Sequence, residues 1–385
     1  MPGRPRILHI FSTFDHGGAE ARTVSLINHW GNRLNHAIWA GVPKAMGARA
    51  AIHPDIDVNF PEQEATLVLG PAQLTRYYRI ARMLRGYNLI LTYSWGAMDV
   101  VMAHRIFAKR LRLPPLIHHE DGYTESEPGF ENWRRHFFRR MALQSAQALV
   151  VPSQMLVSIA RAKWHVRADK IRRIANGIDV AGFHGKADPG AIPGFNKRPG
   201  SIVVGTVAGL REVKNLPRLV RAVAATGLDL ELVIVGEGPE QEVILSEARR
   251  CGIARRVHLP GFLNNPAAFL GLFDIFALSS DSEQYPLAVV EAMAAGLPVV
   301  STDVGDLRQM LSPQNLPFLI DCDDEAKLAT AIAQLATDPT LRKRLGKDNR
   351  NQADRFGQKA TMVAAYEQLY GNAMKGRNPW RIERG

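Results

Sequence analysis

Short apolar runs alternate with longer amphipathic segments along the chain. Four of the apolar runs have the length and composition of buried strands: Ile7–Phe11, Leu89–Thr92, Ile202–Val207 and Leu230–Val235. Strands that alternate with helical segments are typical of β-α-β units and parallel sheets. The alternation restarts after a segment rich in Gly, Pro and Lys at residues 184–200. The pattern therefore predicts two α/β domains joined by this linker.

The segment from Asp274 to Val300 contains all the elements of one such unit. A strand-like run at Ile275–Leu278 leads into a polar loop. A helix is predicted to begin at Pro286, because proline suits the first helical position. Gly296 is expected to end that helix before the next strand begins. A strand–loop–helix–strand unit places ligands at the carboxyl edge of a parallel sheet.

Two acidic residues lie within this segment, Glu283 in the loop and Glu291 in the helix. Glu291 has apolar neighbours throughout residues 287–295. A buried carboxylate is costly unless it is hydrogen-bonded or paired. Ligand hydroxyls or a structural arginine would each satisfy it, and the helix position alone does not distinguish them. The amide groups at the start of the same helix would suit a phosphate.

Three other loops that follow predicted strands carry groups suited to ligands. Gly17 and Gly18 stand at a strand-to-helix turn, which lets a ligand approach the backbone, but the G-x-G-x-x-G dinucleotide fingerprint is missing. Residues 118–121 place His, His, Glu and Asp in a row after a strand, which favours a site over a solvated turn. Arg211 and Lys214 follow a strand and suit a diphosphate, as a fork and a point charge respectively.

The composition is that of a globular protein. At 385 residues the chain is long enough for two domains, each with its own core. Cys251 and Cys322 fit no disulfide framework or metal-ligand spacing, which indicates a reducing compartment. No apolar run approaches the ~20 residues of a membrane span, and the first residues lead into a strand without a signal peptide. We therefore expect a cytoplasmic protein.

The net charge of +11 lies almost entirely in the first half of the chain. Residues 1–185 contain 24 Lys and Arg against 14 Asp and Glu, whereas residues 186–385 contain 24 against 23. The predicted helices at 76–85 and 131–143 combine arginines with aromatic residues. We therefore expect an anionic partner for this half. Nothing in it resembles a motif that reads DNA or RNA, so no nucleic-acid partner is expected.

The run SEQYPLAVVEAMAAGLPVVSTDVGD resembles the Glu-x7-Glu signature of retaining glycosyltransferases of the GT-B fold, in particular of glycosyltransferase family 4. The resemblance covers nearly the whole chain. It implies an α/β fold of two Rossmann-like, doubly wound domains that face each other across a cleft. Residues 1–182, with a C-terminal helix at 363–385, would form an N-terminal acceptor-binding domain. Residues 183–362 would form a C-terminal domain that binds the nucleotide-sugar donor.

The resemblance also implies roles for individual residues of the donor domain. Glu283 would contact the donor sugar and Glu291 the ribose hydroxyls. Arg211 would stand in for a family arginine that this chain lacks two residues earlier. The segment at 257–263 resembles the one that holds the donor base. The donor-binding residues implied in this way are Gly17, Gly18, Arg211, Lys214, Phe262, Leu263, Glu283, Tyr285, Pro286, Leu287 and Glu291.

Members of this family usually place one histidine near the position of the His-His-Glu-Asp row, close to the reacting centre. This chain departs from that pattern, because it has two histidines there. By register against the preceding prolines, Asp121 falls at the usual histidine position. The resemblance therefore implies either His119 or Asp121 as the acceptor-side catalytic residue, together with Glu283 on the donor side.

The resemblance implies transfer of a sugar from a UDP- or GDP-sugar to a glycan or lipid-linked acceptor, with retention at the anomeric carbon. Assembly of a cell-surface polysaccharide or glycolipid is the expected context. No metal or other cofactor is expected, because no Asp-x-Asp stands where it would hold a metal against the diphosphate.

The basic first domain would attach the protein peripherally to the anionic inner face of the plasma membrane. The alternatives are a transferase with a soluble acceptor and a nucleotide-binding protein without transferase activity. A dinucleotide-dependent oxidoreductase is disfavoured, because neither half carries the glycine fingerprint.

Overall fold

The computed structural model describes residues 4–15, 17–122, 131–374 and 379–380. The chain forms two compact units, Met1–Ala175 with Met362–Gly385, and Asn176–Thr361. The sequence predicted boundaries after residues 182 and 362. Of the helix predicted at 363–385, residues 375–378 and 381–385 lie outside the described part of the chain, as does His16 of the first glycine loop.

The first unit contains a seven-stranded parallel sheet. Its strands are β1 (Arg6–Phe11), β2 (Asn35–Ala40), β3 (Val58–Asn59), β4 (Leu89–Tyr93), β5 (Leu116–His119), β6 (Ala148–Val151) and β7 (Ile171–Arg173). Their spatial order is β3-β2-β1-β4-β5-β6-β7. The order changes direction between β1 and β4, and the loops after these strands therefore meet at a topological switch point.

Helices cover both faces of this sheet, as the near-continuous apolar strands require. The helices are α1 (Gly18–Trp30), α2 (Glu62–Ala65), α3 (Leu74–Leu84), α4 (Met98–Leu111), α5 (Glu131–Ala142) and α6 (Gln154–Ala162). Ile80 of α3 and Val101 of α4 belong to the core on one face. Ile27 of α1 belongs to the core on the other.

The second unit repeats the arrangement with a six-stranded parallel sheet. Its strands are β8 (Ile202–Val207), β9 (Leu230–Val235), β10 (Val257–Gly261), β11 (Ile275–Leu278), β12 (Val299–Thr302) and β13 (Leu319–Ile320). The spatial order is β10-β9-β8-β11-β12-β13, so the switch point lies between β8 and β11. Two doubly wound Rossmann-like units, as predicted, are confirmed.

The remaining helices follow in chain order. They are α7 (Leu216–Ala225), α8 (Gln241–Arg250), α9 (Pro266–Phe269), α10 (Leu287–Ala294), α11 (Leu307–Met310), α12 (Glu325–Thr337), α13 (Pro339–Phe356) and α14 (Lys359–Met374). The boundary between the two units falls within α14, whose part from Met362 onward belongs to the first unit. Tyr366 and Tyr370 of that part pack in the same core as Ile27.

The central strand–loop–helix–strand unit forms as predicted, with one shift. Pro286 precedes α10 as its N-cap in an extended conformation (φ −69°, ψ 107°), so the helix begins one residue later than predicted. Gly296 has φ +78° just past the helix end, a conformation that favours glycine. Arg350 of α13 donates to the carbonyls of Ala294 and Ala295, at 3.1 and 2.7 Å, which satisfies the last turn of α10.

Candidate donor site

The loops after β8 and β11 lie side by side at the switch point of the second sheet. The Asp281 amide donates to the Val213 carbonyl at 2.9 Å, and the Ser279 hydroxyl donates to the Lys214 carbonyl at 3.0 Å. These hydrogen bonds join residues more than sixty positions apart in the sequence. The carboxyl edge of a doubly wound sheet is where such folds bind ligands. The two loops predicted to bind the donor therefore meet at the position where binding is expected.

Lys214 and Glu283 form an ion pair at this edge. The Lys214 Nζ lies 2.5 Å from Glu283 Oε1, and the Ser280 hydroxyl donates to the same oxygen at 2.7 Å. Both charged side chains are largely buried, with 17% and 10% of their surface exposed. Neither the pair nor the role of Ser280 was predicted from the sequence. Within the described residues, Glu283 Oε2 has no hydrogen-bond partner, which leaves that oxygen for ligand hydroxyls.

The backbone before α7 fixes the position of Lys214. A short 3-10 turn ends at Lys214, and Asn215 follows in the left-handed conformation with φ +42°. Asparagine tolerates this conformation better than most residues. The Asn215 amide also donates to Asp281, and Arg218 pairs with Asp281 at 2.7 Å and donates to the Ser279 carbonyl at 2.9 Å. These contacts hold the two loops at a fixed separation.

Arg211 is the second cation of this site. Its side chain is exposed, and it makes no hydrogen bond or ion pair with any described residue. A Cβ atom on Gly209 would lie 3.4 Å from Arg211 Nε, so the side chain lies close over the glycine backbone. The guanidinium is therefore available for an anion beside Lys214.

The two glycines after β9 allow two loops to pack closely against each other. Gly236 and Gly238 have φ values of +142° and +156°, and added Cβ atoms would lie 2.0 Å from the Ala208 carbonyl oxygen and 2.3 Å from the Leu210 carbonyl oxygen. Glycine is required at both positions, because the loop after β9 packs closely on the loop after β8.

Phe262 and Leu263, the predicted base-binding residues, follow directly after β10. Phe262 is 42% exposed and Leu263 is half-buried. The Phe262 amide donates to Glu237 Oε1 at 3.4 Å, which ties this segment to the loop after β9. An exposed aromatic ring at the carboxyl edge offers a stacking surface for a planar base.

Glu291 lies one turn into α10, on the same face as Leu287. Its side chain is half-buried, and desolvation raises its pKa to about 7. The structural arginine considered as its partner is not found, because no described residue pairs with this carboxylate or donates to it. Tyr285 and Pro286, also predicted to bind the donor, are buried in the loop before this helix. Glu291 thus has the desolvated, unsatisfied carboxylate expected of a ligand-binding position.

The row of ionisable residues after β5 divides into buried and partly exposed members. His119 is fully buried, with Nε2 2.8 Å from the Tyr370 hydroxyl and Nδ1 3.3 Å from the Thr92 carbonyl oxygen. Burial, and then the charge of Arg22, lower its pKa well below the usual value, so the ring is neutral. Asp121 is partly exposed and binds Arg22 through both carboxylate oxygens. Of the two predicted candidates, Asp121 is the one open to solvent.

The other two members of the row are structural in this arrangement. Glu120 is buried and accepts from Arg139 Nε at 3.0 Å, and His118 Nδ1 lies 2.9 Å from the Thr92 hydroxyl. Burial alone would raise the pKa of Glu120, but Arg139 and His118 hold it below its usual value. The first contact joins the end of β5 to α5, and the second joins β5 to β4.

Gly17 and Gly18 mark the start of α1. Gly17 is the N-cap in an extended conformation, and Gly18 is the first helical residue. A Cβ atom on Gly18 would meet no described atom within 4 Å. The space beside Gly18 is therefore open, as a backbone approach by a ligand requires.

The two basic helices of the first unit expose different side chains. On α3, the aromatic and aliphatic stripe is buried, with Tyr77, Ile80 and Leu84 in the core. On α5, Trp133 and Phe137 are 52% and 55% exposed. The described helices are too short or too polar to span a bilayer.

Two Rossmann-like units with parallel sheets are the architecture of the GT-B fold. Residues 4–177 match the family described as "Glycosyl transferase 4-like domain", and residues 191–352 match "Glycosyl transferases group 1". The chain belongs to glycosyltransferase family 4. It is a glycosyltransferase that uses a nucleotide-sugar donor.

Two relatives and one solved structure illustrate the matches that cover most of the chain. The lipopolysaccharide core biosynthesis glycosyltransferase LpsD of Rhizobium meliloti is 26% identical over 97% of this chain and 100% of its own. The N-acetyl-alpha-D-glucosaminyl L-malate synthase of Bacillus anthracis is 23% identical over 88% and 89%. The crystal structure of Anabaena Alr3699/HepE in complex with UDP and glucose has a TM-score of 0.78 and 20% identity, covering 96% of this chain and 100% of that one.

Proposed function

We propose that the protein is a retaining glycosyltransferase that moves a sugar from a UDP- or GDP-sugar to a glycan or lipid-linked acceptor. The observation that carries this proposal is the set of unsatisfied groups at one sheet edge: the exposed Arg211, the open Glu283 oxygen and the unpaired Glu291. Charged groups without partners do not stabilise a fold. A nucleotide sugar would provide a hydrogen-bond or ion-pair partner for each of them.

Each part of the donor has a matching group. Arg211, Lys214 and the first amides of α10 suit the diphosphate. Glu291 suits the ribose hydroxyls, because a carboxylate accepts two hydrogen bonds from a diol. Glu283 suits the hydroxyls of the sugar, and the segment after β10 suits the base.

The proposed chemistry is electrostatic on the donor side. As the bond between the sugar and the diphosphate breaks, the leaving nucleotide gains negative charge. Arg211 and Lys214 would stabilise that charge without a metal ion. We assign no covalent nucleophile. On the acceptor side we assign the role to Asp121, because His119 is buried and both of its ring nitrogens have partners.

Assembly of a cell-surface polysaccharide or glycolipid is the proposed context. The resemblance over the full length of LpsD, a protein of lipopolysaccharide core biosynthesis, supports it. Helix α5 supports a lipid-linked acceptor, because Trp133 and Phe137 are exposed on the same helix as the exposed Arg134 and Arg140. Aromatic and basic side chains together suit an anionic membrane surface.

A screen of UDP- and GDP-sugars tests the proposal. We expect slow hydrolysis of one donor without added acceptor, measured as released UDP or GDP, and loss of that activity in the Glu283→Ala variant. Binding of UDP or GDP without turnover of any donor would support a nucleotide-binding protein that lacks transferase activity. Thermal stabilisation by NAD but by neither nucleotide would support an oxidoreductase instead.

A further inference from the structure

Arg22 is a buried cation that the sequence analysis did not single out. It lies on α1 with Ala19, Thr23 and Leu26, which form the buried face of that helix. Only 3% of its side chain is exposed. The guanidinium donates to both oxygens of Asp121, with Nη2 2.8 Å from Oδ2. The signal in the sequence is an arginine on the apolar face of an amphipathic helix.

Stability alone does not explain this pair. Burying two charges costs free energy that their attraction recovers only in part, and an apolar pair of similar volume is often as stable. Asp121 keeps 15% of its side chain exposed, so the pair lies at the boundary between the core and solvent. A buried arginine that donates two hydrogen bonds to a partly exposed carboxylate can fix the orientation of that carboxylate for a ligand.

Among the described residues, two tyrosines also interact with the Asp121 carboxylate: Tyr93 at the end of β4 and Tyr366 on α14. Burial raises the pKa of Tyr366 to about 12, so this side chain is neutral. Arg22 therefore provides a positive charge opposite Asp121.

We propose that Arg22 is a positioning residue, which fixes the direction of the two Asp121 carboxylate oxygens toward the acceptor. The bidentate contact uses one lone-pair direction on each oxygen and leaves the other for a sugar hydroxyl. Asp121 then acts as a fixed hydrogen-bond acceptor for that hydroxyl. This inference rests on the acceptor-side role proposed for Asp121.

The test compares Arg22→Gln, Arg22→Lys and Asp121→Asn with the wild type, using UDP-glucose, UDP-N-acetylglucosamine and GDP-mannose as donor probes. For Arg22→Gln we expect a drop of about tenfold or more in kcat/KM at pH 7, with UDP affinity unchanged. Arg22→Lys keeps the charge but loses the planar fork that binds both oxygens, so it should lose less activity than Arg22→Gln but more than none.

The matched control is Arg76→Gln. Arg76 is also buried in the first unit and pairs with an aspartate, Asp99, at 2.8 Å. Its loss should lower stability but leave kcat/KM as in the wild type. An Arg22→Gln variant with the wild-type kcat/KM would overturn the inference while leaving the role of Asp121 intact. Full activity in Asp121→Asn would instead overturn the acceptor-side role on which the inference rests.

Discussion

Desolvation of Glu291 disfavours the folded state when its carboxylate is charged, and a bound ligand would compensate for this cost. Its pKa is about 7 in the folded chain against 4.5 ordinarily, so the folded state holds its proton more tightly than the unfolded state does. A group of this kind destabilises the fold as the pH rises from 4.5 through 7. The difference is on the order of 3 kcal/mol well above pH 7. Residues kept at such a cost concentrate at functional sites.

The first prediction concerns Glu291→Gln without ligand. Glutamine carries no charge, so the variant should be more stable than the wild type at pH 8 and nearly equal to it at pH 4.5. Denaturant unfolding of the second unit at both pH values measures the difference. A variant that is less stable than the wild type at pH 8 would show that the carboxylate has a partner in the fold.

The second prediction concerns nucleotide binding by the same variant. A hydrogen bond to a charged acceptor contributes ~1.5–3 kcal/mol, so Glu291→Gln should weaken UDP or GDP binding roughly tenfold to a hundredfold. Calorimetric titration measures this. Glu242→Gln, an exposed glutamate of the same unit, serves as the control and should bind normally. Unchanged affinity in Glu291→Gln would remove this residue from the site.

Glu283→Ala should separate binding from turnover, which is the third prediction. In the free protein Glu283 holds Lys214 at 2.5 Å. Removing it leaves Lys214 free for the diphosphate, so affinity for UDP or GDP should not fall. Turnover of the nucleotide sugar should fall strongly, because the sugar loses its acceptor. Equal losses of nucleotide affinity and turnover would mean that Glu283 binds the nucleotide rather than the sugar.

At the scale of elements, local signals predicted where the helices and strands occur but not how they are held. Gly296 and the apolar pattern predicted the end of α10 correctly. The contacts that hold α10 come from α13, where Arg350 caps its last carbonyls across more than fifty residues of sequence. The partners in the pairs Lys214–Glu283 and Arg22–Asp121 are also far apart in the chain, by 69 and 99 positions. No local pattern indicates such pairs, because they depend on the order of strands in the sheet.

Helix α5 carries the fourth prediction. Replacing its exposed Trp133 and Phe137 by serine should weaken binding to liposomes rich in anionic lipid by about tenfold or more, because two apolar rings no longer enter the interface. Co-sedimentation at low and high salt measures this, and salt should weaken wild-type binding. The control replaces Leu74 and Tyr78, the exposed apolar residues of α3, and should bind normally. Wild-type binding that does not depend on the charge of the lipid would contradict the role of α5 in membrane docking.

At the scale of the whole molecule, the sequence predicted the α/β class and the two doubly wound sheets, whereas the donor-binding role of the loops stays a prediction. The buried polar layer of the first unit was not predicted. His9 Nδ1 lies 3.0 Å from the Tyr93 hydroxyl, and His9 Nε2 lies 3.2 Å from His36 Nδ1. Tyr93 and Tyr370 belong to the same hydrophobic core. A histidine in an apolar strand looks the same in the sequence whether it binds a ligand or a neighbouring strand. Only the packing of four strands and α14 distinguishes the two.

The fifth prediction follows from this layer. Burial lowers the pKa of His36 to about 4, and burial, with the charge of His36, lowers that of His9 well below the usual 6.5. The unfolded chain therefore binds protons below pH 6.5 that the folded unit does not, and the first unit should lose stability as the pH falls from 6.5 toward 4. Glu291 gives the second unit the opposite dependence. Hydrogen exchange at pH 5 and pH 7.5, corrected for intrinsic rates, should show the two units responding in opposite directions.

The central claim is retaining transfer from a nucleotide sugar, and proton NMR of donor hydrolysis tests it most directly. A donor with an α-linked sugar, such as UDP-glucose or GDP-mannose, is followed in real time before the released sugar mutarotates. We expect the α anomer to appear first and the Glu283→Ala variant to release it much more slowly. First appearance of the β anomer, or no release from any UDP- or GDP-sugar, would contradict this claim.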